Sequence, residues 1–183
     1  MSRWNPRRRR FLGAAAVAAA APGMVSCTGK SSPWRTLSDA EARAAEAVCE
    51  CLIPTDEFPG AAWAGAVHYI DRQLAGHLGH LRETYRRGLA MMDAAARGQG
   101  AADFAALAAD RRVELLKAVE KGKAAAAGWN PAEQRAFFSA ILANTMQSFY
   151  GDPRHGGNRD GIGYRMLGIP LTPVRGREGG KLA

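Results

Sequence analysis

LGHLRETYRRGLAMM, residues 78–92, decides the fold. Leu78, Leu81, Tyr85, Leu89 and Met92 recur at steps of three and four, which puts them on one face of a helix. Arg82, Glu83, Arg86 and Arg87 take the wet side. Gly98-Gln99-Gly100 closes the segment.

The same pattern extends in both directions. Upstream, Val67, Ile70 and Leu74 mark a helix over about 61–75. Before it, Ser38-Asp39-Ala40-Glu41 is a capping box with Leu37 placed as a staple, opening a helix that runs to Ile53 and stops at Pro54. Downstream, Phe104 and Leu107 suggest a short helix. Asp110 is the expected cap of another, carrying Val113, Leu116 and Val119 to Gly122. Asn130-Pro131-Ala132-Glu133 combines an Asn cap with proline at the first helical position. That helix carries Phe138, Ile141, Leu142, Thr145 and Phe149. A short turn is expected around Tyr164 to Leu167. No segment alternates with a period of two, and no internal repeat is present. The reading is an all-α single domain of five or six helices over residues 36–170, with a Gly-rich C-terminal loop. Residues 28–35 read as a linker and 171–183 as a loose tail.

The 183 residues suffice for one domain with its own core. The net charge of +8 suggests a nucleic-acid partner, but its distribution argues against one. Arg3 and Arg7 to Arg10 lie in a leader of 27 residues without an acid, and the remainder is close to balanced. No basic stripe with interleaved aromatics remains.

The leader has three parts: cations to Arg10, an apolar run from Phe11 to Ala21, and a Pro22-Gly23 turn. The run is about half the roughly 20 residues that a bilayer crossing needs, so residues 1–27 read as a signal peptide. Arg8 and Arg9, followed by Phe11 and Leu12, fit the twin-arginine pattern, which implies the twin-arginine translocase and a periplasmic destination. Met24-Val25-Ser26-Cys27 offers a lipoprotein cleavage site with Cys27 as the acylated residue; cleavage within the alanine run is the alternative.

Cys49 and Cys51 share a helix and point about 200° apart, so they cannot bridge each other. Both read as small core residues, or as a link from one of them to another chain.

The stretch YGDPRHGGNRDGIGY, residues 150–164, holds five glycines. Asp152 and Asp160 sit beside Arg154 and Arg159, which suits ionised ion-pair partners better than an acid–base couple. No serine or cysteine there has an activating base. Gly156, Gly157, Gly161 and Gly163 could offer N–H groups to a phosphate, but dinucleotide cradles lie between a strand and a helix, and no strand precedes them. His77 and His80 lack a third metal ligand. The expectation is therefore no catalytic, cofactor or metal site, and a loop shaped for contact. Asp152 and Pro153 turn the chain, the glycines allow close backbone approach, and Asn158 bonds backbone.

Three blocks resemble one family: Cys51–Asp56 with Pro59-Gly60-Ala61, His68–Leu74, and Phe149–Gly161 with Gly168-Ile169-Pro170. The family is subunit 3, the small subunit, of gluconate 2-dehydrogenase and related flavin-dependent sugar dehydrogenases. The resemblance implies a non-catalytic helical subunit of a membrane-associated complex. Its partners would be a large flavoprotein carrying FAD and, in some relatives, a cytochrome c subunit. It also implies that this chain supplies the export signal for both. Tyr164 stands where the family leads us to expect tryptophan; the aromatic packing should persist with an added hydrogen bond. The competing expectation is an independent periplasmic lipoprotein that binds a small ligand.

Overall fold

The computed structural model describes residues 32–170, and within them every regular element is helical. The leader, with Arg8, Arg9, Phe11, Leu12 and Cys27, lies outside the described residues, as does the tail 171–183.

The helices are α1 (Asp39–Leu52), α2 (Ala66–Ala75), α3 (Arg82–Gly98), α4 (Ala109–Glu120), α5 (Pro131–Tyr150) and α6 (Ile162–Met166). Short 3-10 turns cover Gly79–Leu81, Phe104–Ala106, Pro153–His155 and Arg159–Gly161. α5 is the axis of the domain and touches each of the other five helices.

α1 begins at the capping box: the Ser38 N–H donates to Glu41 at 2.8 Å and the Glu41 N–H donates to Ser38 Oγ at 3.3 Å. Two otherwise unpaired donors are thereby satisfied. Its buried face is mostly alanine (Ala42, Ala44, Ala45, Ala47) with Val48 and Cys49, so neighbouring helices can approach closely.

α2 starts at Ala66, not near 61. Gly65 takes a left-handed φ of 80°, and residues 61–65 form turns instead. That conformation interrupts a right-handed helix, and sequence periodicity does not report it. The C-terminal end of α2 is closed by Arg82, whose Nε and Nη2 donate to the carbonyls of Leu74 and Ala75 at 2.6 and 3.0 Å. A cation there also complements the helix dipole.

In α3, Tyr85, Leu89 and Met92 are buried as the spacing predicts, while Leu78 and Leu81 are half-buried in the turns that precede it. Gly88 lets α3 cross tightly over Phe137 of α5.

α4 has Ala108 as its N-cap with no side-chain cap bond. Asp110 therefore does not cap it; it lies within the first turn, where its charge favours the helix N-terminus. Leu115, Leu116 and Val119 form the buried face, and Val113 is half-buried.

Asn130 caps α5 as its sequence predicts, its Oδ1 accepting from the N–H groups of Ala132 and Glu133 at 3.0 Å each. The buried face is Gln134, Phe137, Ile141, Asn144, Thr145, Ser148 and Phe149. Phe138 and Leu142 are only half-buried, because Phe137 takes the inward position. The polar residues on this central face are satisfied internally, the Ser148 hydroxyl excepted. Gln134 bonds Ala124 through both its carbonyl and its amide, and bonds the Trp129 carbonyl at 2.9 Å, which fastens the α4–α5 connection. The Asn144 amide donates to the Tyr85 hydroxyl at 2.8 Å, and that hydroxyl donates to the Ala140 carbonyl at 3.3 Å. Burial raises the Tyr85 hydroxyl well above its usual pKa, so it remains a donor.

Candidate partner-contact site

The glycine-rich stretch emerges from the C-terminal end of α5 and folds back over it. Asp152 starts the turn by accepting the Arg154 N–H at 3.0 Å. Its carboxylate also takes the Arg154 guanidinium, at 3.0 Å to Nε and 2.6 Å to Nη2. That pairing lowers the Asp152 pKa to about 2. Pro153 is the first residue of the turn that follows.

The fold-back depends on missing side chains. A Cβ at Gly157 would meet Ser148 of α5, including its carbonyl oxygen at 2.6 Å, and one at Gly163 would meet the Phe149 carbonyl group. The empty space at both positions is thus filled by the chain's own helix. Asn158, fully buried, locks the loop: its amide donates to the Gly151 carbonyl at 2.7 Å and its Oδ1 accepts the Gly163 N–H at 2.8 Å. Asn158 and Asp160 both adopt left-handed backbone, with φ of 49° and 52°. Asn and Asp tolerate that region better than other non-glycine residues.

Most of the donors that a phosphate cradle would need here are already taken. The N–H groups of Gly156, Gly161 and Gly163 are already bonded to Pro153, Asn158 and Asn158 respectively. A cradle needs such donors free and converging.

The loop then reaches the 60–66 region. The Arg159 N–H donates to the Ala64 carbonyl at 3.1 Å, and the Arg159 guanidinium lies over the Trp63 ring, 5.3 Å from its centroid. Arg159 therefore stacks on an aromatic and does not pair with Asp160; neither it nor Asp160 has an ion pair among the described residues. Arg159 and Asp160 are exposed, and Gly161 is buried. Tyr164 is half-buried, and its hydroxyl makes no hydrogen bond among the described residues, contrary to the added bond its sequence suggests.

The two cysteines separate by burial. The Cys49 thiol is fully enclosed and 3.3 Å from Thr145 Oγ1. Thr145 gives its own proton to the Ile141 carbonyl at 2.7 Å, so the thiol is the donor. Burial pushes the Cys49 thiol up to about 12. Cys49 thus cannot reach another chain. Cys51 is half-buried, and burial raises its pKa against the opposing pull of Arg112.

Sequence reasoning passed over four residues at this site. Trp34, expected in a linker, stacks on His68 with ring centroids 4.7 Å apart. Asp71 is buried and its carboxylate accepts the N–H groups of Arg35, Thr36 and Leu37 at 2.8, 2.8 and 3.0 Å. Trp63 is exposed beside the loop, and the Arg72 guanidinium lies under Gly156. The available signal was a lone tryptophan among small residues in AAWAG, and an aspartate on the inward face of α2.

Among the described residues, no group of three or more His, Cys, Asp or Glu side chains is placed to hold a metal, and no helix is long and apolar enough to cross a membrane. Neither the curated proteins nor the solved structures yielded a match. The family model described as gluconate 2-dehydrogenase subunit 3 matches residues 39–170. That span runs from the first residue of α1 to Pro170 beyond α6, and includes the locked glycine loop. The chain belongs to the gluconate 2-dehydrogenase subunit 3 family, and is thereby a small subunit of a dehydrogenase complex.

Proposed function

We propose that this chain is the non-catalytic small subunit of a membrane-associated, FAD-dependent gluconate or sugar dehydrogenase. It assists maturation of the flavoprotein subunit and supplies the twin-arginine signal that carries both to the periplasm. The family match over residues 39–170 carries the reading. The loop geometry is consistent with it: Gly157 and Gly163 close on α5 and Gly156 on Arg72 of α2, as expected of a loop shaped by packing, and in this reading FAD and the reacting groups belong to the partner. Arg8, Arg9, Phe11 and Leu12 support the export role, and Cys27 offers an acylation point that would hold the complex at a membrane. A cytochrome c subunit would complete electron transfer.

The test is export of the partner. With Arg8 and Arg9 both changed to Lys, the flavoprotein should stay in the cytoplasmic fraction while the wild type delivers it to the envelope. Delivery by the double variant would overturn the export role. The isolated chain, supplied with gluconate and an artificial electron acceptor, should show no turnover; turnover would overturn the non-catalytic assignment.

A further inference from the structure

Five side chains converge where the glycine loop meets the start of α2. A Cβ placed at Gly65 would lie 3.6 Å from the His68 ring, 3.9 Å from the Arg159 guanidinium and 3.4 Å from the Gly156 carbonyl oxygen. The Arg72 guanidinium sits on the other side of Gly156, 2.7 Å from its Cβ position. Arg159 covers Trp63, and Trp34 covers His68. Trp63, His68, Arg72 and Arg159 are all exposed, and Trp34 is half-buried. The patch is therefore continuous, aromatic and cationic.

Its charge is unbalanced. Among the described residues, Arg72, Arg159 and His68 have no carboxylate partner, nor has exposed Arg35 at the edge. The nearby acids are Glu50, Asp71, Asp152 and Asp160, and Glu50 is taken by the N–H groups of Thr55 and Ala62 at 2.7 and 3.2 Å. Asp71 is buried and occupied by three backbone N–H groups, and Asp152 is held by Arg154. Of these, only Asp160 is exposed and without an ion pair among the described residues. Tryptophan and arginine side by side, exposed and rigidly based, are the residue types that dominate binding energy at protein interfaces.

Charge also selects the occupant. The chain's own leader holds five arginines and no acid, and its tail holds Arg175, Arg177 and Lys181 against Glu178 alone. A second copy set face to face on this patch would bring the same unpaired Arg72 and Arg159 against it. Each would be repelled by this patch. We infer that the Trp63–Arg159 patch, with Trp34, His68 and Arg72, is the surface on which the flavoprotein subunit docks, and that the flavoprotein presents an acidic segment to it. This rests on the small-subunit reading given above.

The test purifies the full chain, carrying a C-terminal tag, from its own cells and reads the flavin absorbance retained per subunit, with the partner identified by peptide mass. Trp63→Ala and Arg159→Glu should each lower retained flavin about ten-fold after a fixed wash. Arg159→Lys should lower it less, and the wild-type complex should loosen as salt rises. Helical circular dichroism and melting temperature verify that each variant folds. If the wild type retains no flavoprotein, the small-subunit reading fails. If the wild type retains it and both folded variants do so equally, the docking surface is wrong. Loss in Trp63→Ala with Arg159→Glu unchanged overturns the acidic occupant. If the variants instead lose only sedimentation with phosphatidylglycerol vesicles, the patch is a lipid contact and the proposal falls.

Discussion

Gly88 of α3 sits directly under the ring of Phe137 in α5, so that a methyl group at Gly88 would fall inside three atoms of that ring. Phe137 is fully buried and also meets Tyr85 edge-on at a centroid distance of 6.1 Å. The ring has little freedom to yield. Alanine would raise helix propensity at this position by about 1 kcal/mol, but overpacking of a tight core costs about 1–3 kcal/mol. Gly88→Ala should therefore lower the midpoint of thermal unfolding despite its better helix propensity. A raised midpoint would show that the α3–α5 crossing is looser than the geometry indicates.

Asp71 offers a second prediction. Removing its carboxylate strands three donors that secure the chain just ahead of α1. Charge-assisted bonds of this kind are worth about 1.5–3 kcal/mol, so Asp71→Ala should cost at least about 2 kcal/mol. Amide exchange at Arg35, Thr36 and Leu37 should accelerate more than exchange in α4. Unchanged protection of those three amides would refute the clamp.

Ser148 gives a contrasting case. Its hydroxyl is buried beneath Gly157 and finds no hydrogen-bond partner among the described residues. Ser148→Ala removes an unsatisfied polar atom and should leave stability within about 0.5 kcal/mol, or raise it slightly. Gly157→Ala should instead dislodge the loop, because the collision there includes backbone. Chemical denaturation of the two variants tests the pair; a strongly destabilised Ser148→Ala would mean the hydroxyl has a partner.

The thiols should differ in reactivity. With its pKa pushed to about 12, Cys49 should resist iodoacetamide at pH 8 until the protein is unfolded. Cys51, half-buried, should alkylate first, though more slowly than a free thiol because burial raises its pKa too. Peptide mass mapping distinguishes them. Early labelling of Cys49 would contradict its enclosure between α1 and α5.

Acid should weaken the start of the glycine loop. Asp152 has a folded-state pKa of about 2, below its ordinary 3.8. A depressed carboxylate stabilises the folded state above its unfolded pKa and loses that contribution as pH falls through the folded one. The loss should therefore occur between about pH 4 and pH 2. The effect is small, since the pair is largely exposed to solvent. Asp152→Asn should flatten the change in amide exchange around Arg154 over that interval; an equal change in the variant would assign it to another group.

Much of this arrangement was readable from residue order because it is local. Ser38 and Glu41, or Asn130 and Pro131, announce helix starts through neighbours three residues apart, and the structure places both caps accordingly. Tyr85, Leu89 and Met92 declare their face by spacing alone. What escaped was decided across the fold. The late start of α2 hangs on one dihedral angle at Gly65. Trp34 gains a role only when α2 brings His68 beneath it, 34 positions away in the chain, and Arg35 only through Asp71. Phe137 displaces Phe138 from the interior because Gly88 opens a hollow on a different helix. The loop's glycines suggested closeness to something, and only their placement reveals that it is α5 for Gly157 and Gly163 and Arg72 of α2 for Gly156.

That placement has a kinetic consequence. Because Asn158 already ties Gly151 to Gly163, the segment holds its shape without help from an incoming molecule. An encounter then forfeits little chain entropy, and no coupled ordering step stands between collision and fit. If the flavoprotein docks here as proposed, recognition is rigid-body, and differences among variants should show up in how long the complex lives more than in how fast it assembles.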